Sequence, residues 1–161
     1  MKVNKMGLYD TIYVDPSVAK IFNIDGSKLH GPYLEFQTKD FHCVLEEYVL
    51  KFAMDGEARL FFVDPPDENK LVLYTDQEIQ KNNESLDPIS WLTPMFTLEK
   101  GAGYFPEEAL AIENRNHRSM GELPHQHLAM CDYDHKTEKF TEYDLKFTDG
   151  VLERLVLKTE S

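Results

Sequence analysis

The sequence predicts an α+β domain, predominantly antiparallel β and meander- or sandwich-like, with one or two short helices. Three observations carry this. Short runs alternate apolar and polar residues, the period of a strand with one buried face. Asp-Gly pairs stand beside such runs at 55–56 and 149–150, and both residue types tolerate the positive φ of a tight hairpin turn. The 161 residues, with 42% hydrophobic side chains, suffice for a single globular domain over 1–161 with a real core.

The elements follow in order. Residues 7–14 read as a strand that Asp15-Pro16 ends. Asp25-Gly26 and Gly31-Pro32 punctuate 17–32 as a loop or a short helix. Residues 33–39 alternate apolar and polar as a half-buried strand. Runs 43–52 and 58–63 flank Asp55-Gly56 as a hairpin, which Pro65 and Pro66 close because proline donates nothing to a ladder. A short strand covers 71–75, and 76–84 is polar enough for a helical turn or a loop. Two prolines interrupt the apolar segment 86–96, so it forms neither a continuous helix nor a central strand. Residues 106–112 make a short helix, with Pro106 at its start and Glu107 and Glu108 in the first turn. Three strands, 127–133, 140–147 and 151–157, complete a meander. On the second of them Tyr143, Leu145 and Phe147 share one face, opposite Glu142, Asp144 and Lys146.

Charge narrows the function classes. The net charge is −12, spread evenly as −6 over 1–80 and −6 over 81–161. Such a surface repels nucleic acid and anionic membrane and favours basic protein partners; one form of that idea is imitation of the charge of DNA. No apolar run approaches the roughly 20 residues of a membrane span, and the start lacks the apolar core of a secretion signal. The expected place is a cytoplasm, with Cys43 and Cys131 reduced.

The stretch 113–135 holds four of the six histidines and Cys131. On a strand, His125, His127 and Cys131 face one way, and imidazole and thiolate are ligands zinc accepts. His117, Asp134 or His135 would be a fourth ligand. The spacing matches no known finger or ribbon, so the expectation is no cofactor, with zinc as the alternative. Arg115, His117 and Arg118 form the most basic spot and suit capture of a phosphate or carboxylate. Trp91, Met95, Phe96 and Tyr104 lie in the proline-broken aromatic segment, as candidates for contact with a partner. No catalytic residue is assigned: phosphate-loop, dinucleotide, metalloprotease and nucleophile-elbow motifs are all absent.

Met6-Gly7-Leu8-Tyr9-Asp10-Thr11-Ile12, then Phe36-Gln37-Thr38-Lys39-Asp40-Phe41, then Tyr48 and the Asp55-Gly56 hairpin leading to Arg59-Leu60 together resemble a loose group of small uncharacterised proteins from tailed phages and prophages. The likeness covers roughly the first 60 residues, and a final strand pair with Asp-Gly extends it. Members open Met-Gly-apolar-aromatic-Asp-Thr, and many carry a Cys-x-x-Cys pair ahead of Phe-Gln-Thr-Lys; residues 17–35 here contain no cysteine. The resemblance implies a phage-encoded accessory protein and supplies no activity.

The expected function is therefore a non-enzymatic acidic accessory protein that binds a host or phage protein and inhibits host machinery or antiviral defence. One alternative is a small metal- or phosphate-dependent enzyme centred on 117–135. Another is a virion or assembly component.

Overall fold

A computed structural model describes residues 8–85, 103–121 and 126–160, and within them seven strands close on themselves as a barrel. Their order is β1 (Asp10–Val14), β4 (Glu47–Phe52), β5 (Ala58–Val63), β11 (Val151–Glu160), β10 (Lys139–Thr148), β9 (His127–Asp134) and β3 (Tyr33–Thr38), which returns to β1. All neighbours are antiparallel except β1 and β4, which run parallel. Two short strands, β2 (Leu29–His30) and β8 (His117–Ser119), add to β3 and β5. The mostly antiparallel α+β class holds. The meander or sandwich is corrected to a barrel, because β1 pairs on both sides and β11 reaches β5 through Val151 and Arg59.

Local chemistry explains the strand ends. The β4–β5 hairpin turns at Asp55-Gly56, where Gly56 has φ +82° and the Asp55 carboxylate accepts from the Glu57 N–H and from Arg59. The β10–β11 turn places Asp149 and Gly150 both at positive φ, as a two-residue primed turn requires. Helix α1 (Pro16–Phe22) starts at Asp15, whose carboxylate accepts from the Ser17 N–H, and stops where Asn23 turns left-handed. The Asp40 carboxylate and the Thr38 hydroxyl complete the β3–β9 seam. They take the N–H and C=O of Ala129, beside the single bridge between Gln37 and Cys131.

The barrel interior packs aliphatic side chains around Phe36, Tyr48, Tyr143 and Phe147. Alternate residues of each strand point inward: Ile12 and Val14, Phe36, Tyr48 and Leu50, Leu60, Leu128 and Met130, and Tyr143, Leu145 and Phe147. Val18, Ala19 and Ile24 join this cluster from α1 and the chain just after it. Phe36 meets Tyr143 edge-on at 5.9 Å, and Phe41 stacks on Tyr48 at 4.4 Å.

The chain divides into two compact units, one of Met1–Asp64 with Asn116–Ser161 and one of Pro65–Arg115. The barrel belongs to the first. The second contains β6 (Val72–Leu73) paired with β7 (Gly103–Tyr104), helix α2 (Asp76–Ser85) and the short helix α3 (Glu107–Leu110). Thr75 and Glu78 cap α2 reciprocally: the Thr75 hydroxyl accepts from the Glu78 N–H, and the Glu78 carboxylate accepts from the Thr75 N–H. Among the described residues no helix is long and apolar enough to cross a membrane.

Candidate functional site

Tyr104 is the candidate contact residue whose surroundings are described; Trp91, Met95 and Phe96 lie outside the described residues. Tyr104 ends β7 opposite Val72, and its ring stacks on Tyr74 at 5.1 Å and 27°. Leu71, Val72, Leu73 and Tyr104 are between 38% and 58% exposed. Val72, Leu73 and Tyr104 on this two-stranded ribbon, and Leu71 just before it, thus expose apolar surface in a protein of net charge −12. Gly103 permits the close approach: a Cβ there would meet the Leu71 side chain at 2.8 Å.

In the basic spot Arg118 is paired with a carboxylate, while His117 meets a further base. Arg118 donates to the Asp64 carboxylate at 2.7 Å and lies over the Phe62 ring at 4.7 Å. Asn116 holds the other oxygen of Asp64 at 2.6 Å. One residue earlier on β8, the Lys51 ammonium donates to His117 Nδ1 at 2.6 Å and sits 4.7 Å from the Phe61 ring centroid. Burial lowers the Lys51 pKa and the Asp15 charge opposes that shift. Arg115 follows the short turn Ile112–Asn114 that precedes β8, and its N–H donates to the Ile112 carbonyl.

The zinc candidates are arranged along β9. The predicted alternation holds: Leu128, Met130 and Asp132 are buried, while His127, Ala129, Cys131 and Tyr133 face outward. His127 bonds Asp144 at 3.2 Å. Four residues of strand set His127 and Cys131 about 13 Å apart, farther than two side chains converging on one ion can span. Cys131 is a free thiol whose pKa is raised, first by burial and then by the Glu142 and Asp132 charges. His125 lies outside the described residues. Among the described residues, no three His, Cys, Asp or Glu side chains gather as a metal ion needs.

The sequence reading missed the barrel mouth. Where β9 ends and β10 begins, the loop after α1 crosses the opening and leaves a cavity of about 440 Å³, a size and place typical of small sites in barrels. Asp25, Ser27, Asp132, Asp134, Lys139 and Tyr143 are among the residues that line it. Asp132 is 5% exposed, and its oxygens accept from both the N–H and the hydroxyl of Ser27. The Tyr143 hydroxyl accepts from the Asp25 N–H and donates to the Asp25 carbonyl, pinning the loop over the mouth. The signal was present: Asp132 falls on the apolar face of β9 beside Leu128 and Met130, where a carboxylate needs a reason.

No protein-family model, curated protein or solved structure matches the chain.

Proposed function

We propose that the chain is a non-enzymatic, acidic accessory protein of phage type that works by binding a protein. The partner is host- or phage-encoded, and occupying it inhibits host machinery or antiviral defence in the host cytoplasm. The observation that carries this is the exposed β6–β7 ribbon, with Leu71, Val72, Leu73 and Tyr104 open to solvent. Exposed apolar side chains on a short ribbon offer a partner area to bury, and tyrosine is among the residues that dominate binding energy. The even negative charge discourages nucleic acid and selects basic neighbours.

The test is affinity purification of tagged wild-type protein and of Leu73→Asp and Tyr104→Ala, read by mass spectrometry at low and high salt. The proposal expects one stoichiometric partner with wild type and its loss with both variants, whose folding is checked by circular dichroism. Recovery of the same partner with both variants would remove the ribbon from the account. A purified protein that assembles only with itself or with virions would favour the assembly-component alternative.

A further inference from the structure

Among the described residues, β11 carries an unpaired strand edge beside the barrel mouth. β11 pairs with β10 along its length, but its other edge meets β5 only at Val151. Among the described residues nothing pairs with that edge from Glu153 to Lys158. Six residues at about 3.3 Å each make about 20 Å of unpaired backbone. Bulges flank the stretch, while Arg154, Leu155, Val156 and Leu157 run in regular register with Lys146, Leu145, Asp144 and Tyr143. Edges of this kind are ordinarily blunted by charge, proline or a bulge within them. Here Glu153, Arg154 and Lys158 charge the ends of the stretch, and the central run Leu155-Val156-Leu157 is uncharged. Val156 and Leu157 point to opposite faces, and they are 49% and 47% exposed.

Leu157 also borders the mouth cavity, which sets the chemistry of what fits. Asp25, Asp132, Asp134 and Lys139 line that cavity, with Lys139 directly opposite Asp134 in the β9–β10 ladder, so carboxylates outnumber the cation. Asp25 is exposed and Asp134 half-buried, each with one oxygen accepting from a turn N–H, that of Gly26 and of Lys136 respectively, while Asp132 is held by Ser27.

We infer that the β11 edge takes up an extended segment of a partner protein as an added strand, with a Lys or Arg side chain of that segment lodged in the barrel mouth beside Asp25 and Asp134. Strand addition supplies main-chain hydrogen bonds, and alternate side chains supply selectivity. A residue placed opposite Leu157 lies about 5 Å from it on the same face. Its methylene stem covers Leu157 while its cationic end reaches the carboxylates. The next residue of the segment turns outward to Val156, between Arg154 and Lys158, where an apolar side chain fits. The segment is thus an alternating basic–apolar strand. This surface lies entirely in the first unit and does not rest on the β6–β7 ribbon.

The probe is a fluorescein-labelled decapeptide of alternating Lys and Val, titrated with the full-length protein in physiological salt and followed by anisotropy. Its controls are the same peptide with alternate backbone amides methylated and a Glu–Val peptide. The protein control is Asp25→Asn with Asp134→Asn, since asparagine preserves both local turn bonds. Saturable binding is expected with the Lys–Val peptide and none with the Glu–Val peptide. Backbone methylation and the double variant should each weaken binding by about tenfold or more. Equal affinity for the methylated peptide would overturn strand addition. Equal affinity of the double variant would overturn the mouth as the basic subsite, and absence of saturable binding would overturn both.

Discussion

Removing the carboxylate of Asp10 should loosen the end of the barrel where β1 and β4 begin. Asp10 is fully buried and accepts from three backbone N–H groups, those of Cys43, Val44 and Glu46, at 2.9, 3.0 and 2.9 Å. That loop is strained, since Cys43 and Leu45 adopt φ of 57° and 63°, which costs about 1–2 kcal/mol for each non-glycine residue. A hydrogen bond to a charged group contributes about 1.5–3 kcal/mol. Water can replace the acceptor for the part-buried Val44 and Glu46 donors but not for the buried Cys43 donor. Asp10→Ala should therefore lose about 3–5 kcal/mol, a large share of the roughly 5–15 kcal/mol available to a domain. Asp10→Asn keeps one acceptor oxygen for Val44 and Glu46 and sets an amide donor against Cys43, so it should fall between. Urea unfolding followed by circular dichroism and Trp91 fluorescence measures both. An Asp10→Ala protein within about 1 kcal/mol of wild type would refute the reasoning.

Gly26→Ala should destabilise by about 1–3 kcal/mol, because the new Cβ would stand 2.9 Å from the Phe36 ring, which the core holds fixed; thermal unfolding reads the loss. The Tyr48 phenol has its pKa raised, first by burial and then by its bond to Glu46. Its stability contribution is full below the ordinary phenol value of 10.0. Above that, the unfolded chain ionises and the fold does not, so stability falls by about 1.4 kcal/mol per pH unit. Tyr48→Phe should flatten this alkaline slope in denaturation curves at successive pH values, and an unchanged slope would contradict it. Cys131, with its pKa raised by burial, should react with a disulfide reagent at neutral pH more slowly than the same thiol in the unfolded protein. Unfolded protein should titrate two fast thiols, one for each cysteine.

Much of the fold was legible because it is local. The Asp55-Gly56 and Asp149-Gly150 turns and the three C-terminal strands fall where alternation places them. Residues 76–84, ambiguous between helical turn and loop, form α2; the Thr75–Glu78 capping box announces it in the sequence and was overlooked. Barrel closure was not legible, since it depends on β1 pairing with both β3 and β4 and on the one bridge from Val151 to Arg59. Strand periodicity specifies which face is buried but not which distant strand lies alongside. The surroundings of the basic stretch were not legible for a similar reason, because Asp64 and Lys51, the partners of Arg118 and His117, are more than fifty residues away in sequence. The mouth was half visible, as Asp132 on an apolar face, whereas Ser27 and Tyr143 reach it only through the fold.

Protein capture through the β6–β7 ribbon is the central claim, and site-specific photocrosslinking tests it most directly. A photoreactive side chain replaces Leu73 in one sample and the exposed Lys20 of α1 in another, and both are irradiated in cells that make the protein. The account predicts one discrete crosslinked partner from position 73, lost when Tyr104→Ala is added, and none from position 20. Identical crosslinks from both positions, or none from position 73, would contradict it.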